Sequence, residues 1–210
     1  MFSPLELDLE RGWPGKIEGD RVIQVAAQTL QAFFSGGGTA REHAEYPLEE
    51  VRLRAPVLRP PSIRVFDGDD FRFGNPASVH GPDDEIPFPA GAESIDSDLR
   101  LGAVIGLGEI GGFTIVNDWV ASGLTGAKAR DFAFSLGPVV VTPDELTPDS
   151  APWDELVAHA RRNTRLLPGD VIAAEGERGG RAFGAGDEVE LEVRGIGTLR
   201  NRIVGQPGLR

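Results

Sequence analysis

Extended runs cut short by glycine are what most restrict the folds open to this chain. Gly102-Ala103-Val104-Ile105-Gly106 and Phe113-Thr114-Ile115-Val116 are largely apolar, the second β-branched and aromatic, and Gly106, Gly108, Gly111 and Gly112 lie at and between their ends. Such runs read as strands around a turn. The same punctuation continues along the sequence, with 28 glycines and 16 prolines in 210 residues, which suits a β-rich roll better than a helical or βαβ protein. We expect an α/β, β-rich architecture in two parts. Residues 1–52 form a small N-terminal β/α domain and connector, with hairpin-like strands over Leu5–Asp20, a strand at Arg21–Val25 and a helical segment at Thr29–Phe34. Residues 53–210 form the larger domain. Its one clear helix is expected at Ala151–Arg165, opened by Pro152 and an acidic first turn.

Side chains of an extended segment alternate between faces, so Asp96, Asp98 and Arg100 are expected on one face and Leu99 and Leu101 on the other. Acid at every second position, followed by Asn117-Asp118, is a way of aiming carboxylates at a hard cation such as Mg²⁺. Arg100 changes that chemistry. A guanidinium has no lone pair to give a metal. Two like charges at ~4 Å repel by about 4 kcal/mol even at an effective dielectric of 20, and a divalent ion doubles this. Two placements follow. Arg100 takes the cation's place and bridges Asp98 and Asp118 by charge-assisted hydrogen bonds, or it points into solvent and makes an ordinary surface pair worth little.

The chain has no cysteine, which removes disulfides, thiolate metal sites and a cysteine nucleophile. No apolar run approaches membrane-spanning length, and Met1–Trp13 carries acidic residues where a signal peptide needs a basic and then apolar stretch. A cytoplasmic protein is the expectation. The formal charge of −12, from 33 acidic and 21 basic residues, argues against nucleic acid or an anionic membrane as partner. A small anionic ligand would need local positive charge, for which Arg100, Lys128 and Arg130 are the candidates.

Several other groups have a bland reading beside a functional one. His43 reads as a solvated residue of the connector and His159 as structural on its helix. His80 is the one histidine to test for acid–base work. Asp67-Gly68-Asp69-Asp70 and Asp83-Asp84-Glu85 lack the spacing of a calcium loop and read as exposed acidic turns. Gly176–Gly186, with Arg178 and Arg181, lacks the strand–glycine–helix order of an anion-binding loop and reads as a flexible turn.

These residues also carry a resemblance. Leu53-Arg54-Ala55-Pro56-Val57, Phe73-Gly74-Asn75-Pro76, Lys128-Ala129-Arg130-Asp131-Phe132, Ser135-Leu136-Gly137-Pro138, Leu167-Pro168-Gly169-Asp170-Val171-Ile172 and Gly195-Ile196-Gly197-Thr198 follow one another in the order of the fumarylacetoacetate hydrolase superfamily. The chain resembles that family from about Leu53 to Val204. The resemblance implies a mixed β-sandwich roll, a homodimer, and enzymes that cleave, decarboxylate or isomerise 2,4-dioxo and related oxo-acids with Mg²⁺ or Mn²⁺. It puts metal ligands at Asp98 and Asp118, an active-site lysine at Lys128, and substrate contacts at Asn75, Lys128 and Arg130.

The chain departs from the family pattern at several places. The second metal-binding glutamate falls on Arg100, a further aspartate of longer members falls on Val65, and the dyad histidine between Phe66 and Phe71 is missing. The Thr-Gly-Thr loop is replaced by Ala174-Glu175-Gly176. Three outcomes are therefore open. Asp98 and Asp118 hold Mg²⁺ or Mn²⁺ despite Arg100; or no metal is used, and Arg100 and Lys128 act on an enol or dioxo-acid; or the chain is a catalytically inert binding or scaffold subunit. We expect no cofactor unless the residual metal site is functional.

Overall fold

A computed structural model describes residues 1–7, 9, 11–37, 39–146 and 148–205; the side chains of residues 37 and 39–43, and with them His43, lie outside the described set. Strand β1 (Phe2–Pro4) is followed by β2 (Gly15–Glu18), β3 (Arg21–Ala26), a single helical turn α1 (Leu30–Ala32) that runs into a π turn, and β4 (Thr39–Pro47). Then come β5 (Val51–Leu53), β6 (Ile63–Asp67), β7 (Asp70–Phe73), β8 (Val79–His80), β9 (Glu85–Pro87) and β10 (Ser94–Asp96). The centre of the chain is β11 (Asp98–Ile105), β12 (Ile110–Asn117), β13 (Val120–Ser122) and β14 (Phe134–Val141). Helix α2 (Trp153–Arg161) precedes β15 (Val171–Ala173), β16 (Glu177–Arg178), β17 (Glu188–Val193) and β18 (Gly197–Val204). The β-rich expectation holds.

The fold is organised by one eight-stranded mixed sheet, β7-β6-β15-β11-β12-β14-β8, with β16 added beside β11. The glycine-rich turn joins β11 to β12 in antiparallel register, from Leu99↔Asn117 to Ile105↔Ile110. The pleat sorts the side chains by parity. Val65, Val116, Leu136 and Ala173 pack into one apolar cluster with Ala55 and Ile63. On the opposite face Ala103, Phe113 and Ile115 meet Trp153 of α2 and Ile196 and Leu199. The sheet therefore has both faces covered, and residues at the N-terminal end of β11 lie where the first face reaches its rim.

The N-terminal part has its own small core, Phe2, Val22 and Val51 with Trp13 and Tyr46 around them. Strand β1 pairs with β5, so the chain's first strand is anchored to the segment where a division near residue 52 is expected.

Three local expectations are corrected. The hairpin expected within Leu5–Asp20 is instead β2–β3, Gly15↔Gln24 to Glu18↔Arg21, because the turn residues are Gly19-Asp20 and Gly19 has φ +60°, the left-handed value that glycine takes without Cβ strain. Helix α2 is shorter than Ala151–Arg165: its last turn closes where Arg162 turns extended. Asp96 does not share a strand with Asp98. The strand breaks at Ser97, and β10 pairs with β13 in a separate two-stranded sheet.

The Gly176–Gly186 segment is tied down. Residues Arg178 and Glu177 pair with Asp98 and Leu99, Phe183 N donates to Ile95 O at 2.8 Å and Gly179 N to Ser97 O at 2.9 Å. It forms an extra strand against the rim of the sheet.

Candidate functional site

Asp98 opens β11, and Asp118 follows β12 directly opposite, its N–H donating to Asp98 O at 3.1 Å. Asn117 Oδ1 accepts from Asp98 N at 3.1 Å and holds the two strand ends together. Both carboxylates therefore project from the same face, as does Arg100 two residues along β11. All three are buried, with Asp98 at 1%, Arg100 at 3% and Asp118 at 0% exposure. Of the two placements open for Arg100, solvent is excluded.

The guanidinium of Arg100 is almost fully committed. Nη1 donates to Phe66 O at 2.6 Å and to Ala174 O at 3.1 Å. Nη2 donates to Asp98 Oδ2 at 2.8 Å and to Asp67 Oδ1 at 2.6 Å. Only Nε remains, 3.6 Å from Asp118 Oδ2 and without a hydrogen bond. The expected bridge is thus hydrogen-bonded on the Asp98 side and purely coulombic on the Asp118 side. Its second carboxylate partner is Asp67, which the sequence placed in an exposed acidic turn.

Asp118 is held by other arginines. Arg130 Nη1 donates to its Oδ2 at 2.5 Å, and Arg72 Nη2 donates to the same oxygen. Arg130 Nη1 is also 3.7 Å from Asp98 Oδ2. Arg72 arrives through strand register: β6 pairs with β15 and β15 with β11, while Arg72 on β7 lies across from Val65. A Gly68-centred hairpin between Phe66 and Phe71 was the signal that could have located it. A lone arginine next to an acidic run reads as surface until that register is known.

Electrostatics follow from burial against pairing. Burial pushes the Asp118 carboxyl above its ordinary value, against the pull of Arg72, Arg130 and Arg100. For Arg100 burial acts to lower the guanidinium, but the hydrogen bonds to Asp67 and Asp98 prevail and raise it. Arg72 is lowered by burial, against the pull of Asp118 and Asp67 and with Arg130 and Arg100 adding like-charge repulsion.

Gly176 closes the site from above. A Cβ there would lie 2.3 Å from Arg100 Cγ, 2.4 Å from Leu99 O and 2.8 Å from Asp98 Oδ1. Only a glycine lets this chain segment cross over the arginine, because contacts below 3 Å are not met by real Cβ atoms.

The remaining sequence candidates divide. Lys128 and Asn75 line an open cavity of about 490 Å³ together with Pro87, Phe88, Leu124 and Phe132. Lys128 is 79% exposed there and pairs with Asp131 at 2.8 Å. Asn75 uses its amide to fix backbone, donating to Asp131 O at 2.9 Å and accepting from Ala77 N at 3.0 Å. Arg130 lies between Lys128 and Asp131, so one short segment joins the cavity to the buried cluster. His80 is elsewhere, on the edge strand β8 beside Ser135; among the described residues no contact joins it to Asp98 or Asp118. Burial lowers its pKa, with Asp84 partly offsetting this. His159 sits edge-on to Phe66 and Phe71, 5.6 and 5.8 Å between centroids. Asp96 caps its own chain at Ser97 N, 2.8 Å away.

The donor set tests whether a divalent ion suits this geometry. Asp98 Oδ1 and Asp118 Oδ1 are buried acceptors without hydrogen-bond partners, which is the feature in favour. Against it, no group of three or more His, Cys, Asp or Glu side chains suited to a metal occurs among the described residues. Three guanidiniums already stand on the two carboxylates, and each would repel a divalent ion by several kcal/mol at contact distances.

Comparison with known proteins identifies the family and the fold. The chain matches the family model described as Fumarylacetoacetate (FAA) hydrolase C-terminal over residues 47–154 and 150–204. It is 28% identical to protein Rv2993c of Mycobacterium tuberculosis, covering 89% of this chain and 100% of that protein. It is 25% identical to the human mitochondrial oxaloacetate tautomerase FAHD2A, covering 89% of this chain and 77% of the relative. Among solved structures, maleylpyruvate hydrolase from Sphingobium sp. SYK-6, in complex with manganese(II) and pyruvate, superposes with a TM-score of 0.77 at 19% identity, over 94% of this chain and 97% of that one. At that identity the likeness is one of fold. No helix among the described residues is long and apolar enough to cross a membrane.

Proposed function

Because the chain belongs to the fumarylacetoacetate hydrolase family, we propose that it processes a small anionic oxo-acid at the cluster around Asp118, with guanidinium charge in place of a divalent ion. The observation that carries this reading is the position of Arg100, whose Nη2 lies 2.8 Å from Asp98 Oδ2 and whose Nε lies 3.6 Å from Asp118 Oδ2. A cation fixed between two buried carboxylates fills the electrostatic role there and leaves a metal no favourable seat. Relatives are named for keto–enol interconversion of oxaloacetate and hydrolysis of maleylpyruvate. Reactions of both kinds develop negative charge on an enolate oxygen, which fixed cations stabilise.

Roles follow from who can reach a ligand. Arg100 has four of its five N–H groups bound to protein, so it sets the charge of the site and positions Asp98. Arg130 and Lys128 are the residues that meet substrate, Arg130 at the inner end of residues 128–131 and Lys128 on the rim of the cavity. Asn75 shapes that cavity by holding Asp131.

Calorimetric titration of chelator-treated protein with Mn²⁺ and Mg²⁺ tests the reading. No saturable heat is expected up to millimolar metal, with enolisation or cleavage of a 2-oxo-acid proceeding in excess chelator. Saturable binding together with metal-dependent turnover overturns it. A second reading, a non-catalytic binding subunit, is favoured by the burial of Asp98, Arg100 and Asp118; it is chosen if an oxo-acid binds and no substrate turns over.

A further inference from the structure

Arg72 has no part in the readings above, yet it is one of two guanidiniums that converge on a single oxygen. Arg72 Nη2 and Arg130 Nη1 both donate to Asp118 Oδ2. They come from unconnected parts of the fold, Arg72 from the edge strand β7 and Arg130 from the segment after the 3₁₀ turn Gly126–Ala129. Their side chains are 30% and 16% exposed, whereas Asp98, Arg100 and Asp118 behind them are 1%, 3% and 0% exposed. Whatever reaches this end of the sheet from solvent therefore meets Arg72, Arg130 and the carboxylate of Asp67, 53% exposed, before the buried three.

These two groups have capacity left. Each guanidinium offers five N–H donors in a planar fork. Among the described residues Arg72 hydrogen-bonds to protein only through Nη2 and Arg130 only through Nη1. Arg72 Nε is buried without a hydrogen-bond partner, 3.7 Å from Asp67 Oδ2. Arg72, Arg100 and Arg130 face Asp67, Asp98 and Asp118, three charges of each sign, but Asp118 Oδ2 alone takes two of the guanidiniums and lies 3.6 Å from the third. Burial lowers the pKa of Arg72; Asp118 and Asp67 pull against this while Arg130 and Arg100 add to it. An anion lying against the outer edges of both forks supplies the missing acceptors.

We infer that Arg72 and Arg130, locked in place by Asp118 Oδ2, form the seat for the carboxylate of a 2-oxo-acid. The inference rests on the proposed absence of a divalent ion from this site and deepens it. Substrate recognition passes from metal chelation to a paired guanidinium clamp, and Asp118 becomes the positioning residue for that clamp. A guanidinium fork also matches a tetrahedral oxyanion, so sulfate is the competing probe.

Calorimetric titration with pyruvate in excess chelator tests this, using sulfate at the same ionic strength as the competing probe. Wild-type protein is expected to bind pyruvate more tightly than sulfate, with affinity falling as salt is raised. Arg72→Gln is expected to weaken pyruvate roughly 10- to 100-fold, the size of one lost charge-assisted pair. Arg72→Lys, which keeps the charge and loses the fork, should recover only part of this. Thermal unfolding of both variants shows whether the fold survives, and Arg72→Lys serves alone if Arg72→Gln does not fold. Equal pyruvate affinity in folded Arg72→Gln and wild type overturns the clamp and leaves the metal-free reading standing. Sulfate binding as tightly as pyruvate, or no pyruvate binding with or without metal, also overturns it. Pyruvate binding that appears only on adding Mn²⁺ overturns the metal-free reading itself.

Discussion

Arg100 and Asp98 lie two residues apart on β11 and face each other across 2.8 Å, Nη2 to Oδ2, with 3% and 1% of their side chains exposed. Neither is tolerable alone. A buried carboxylate without its cation, or the reverse, costs several kcal/mol, so the pair behaves as one unit and is supported by Asp67, Phe66 O and Ala174 O.

Arg100→Met removes the cation and leaves Asp98 and Asp118 as adjacent buried acids. We expect a loss of roughly 3–5 kcal/mol in unfolding free energy, measured by urea titration. Arg100→Glu goes further and should generate Mn²⁺ affinity, seen as a rise in melting temperature on adding metal that wild type does not show.

Gly176→Ala places a methyl 2.3 Å from Arg100 Cγ and 2.4 Å from Leu99 O. The backbone cannot yield cheaply, so a destabilisation of about 1–3 kcal/mol is expected. Gly184→Ala, which meets nothing within 4 Å, is the matched control and should stay within about 0.5 kcal/mol of wild type.

Lys128→Ala should separate stability from binding. The side chain is 79% exposed and its pair with Asp131 is local, so unfolding free energy should move by no more than about 0.5–1 kcal/mol. Oxo-acid affinity should fall if Lys128 meets substrate; unchanged binding by calorimetry assigns it to the surface.

His80 supplies a pH signature. Burial lowers its pKa from the ordinary 6.5, so below that value the unfolded chain binds a proton that the folded chain resists. Its contribution to stability is fully present above pH 6.5 and is lost as pH falls towards the lowered folded value. His80→Gln should flatten the dependence of unfolding free energy on pH across that interval. An unaltered slope places the titration elsewhere.

How far the site was legible depended on distance along the chain. The pairing of Asp98 with Arg100 came from parity within one strand, and the paired position of Asp118 came from the strand after a glycine-rich turn. Asp96 was misplaced because the break at Ser97 depends on β10 pairing with β13. Arg72 and Asp67 were missed because β6 and β15 stand between Arg72 and β11, and β15 between Asp67 and β11, and a one-residue slip in register would turn them away. The tie between the Gly176–Gly186 segment and Ile95–Leu99 was missed for a similar reason.

The sequence by itself determined a glycine-punctuated β-rich fold, its family, and a cation on the same strand and face as Asp98, because pleat parity and turn chemistry act over a few residues. Tertiary structure alone decided that this cation is buried, that Asp67 shares it, and that Arg72 and Arg130 stand in front of it on Asp118. Those facts depend on hydrogen-bond register between strands far apart in sequence and on desolvation by the covering Gly176 segment, neither of which is written in local spacing.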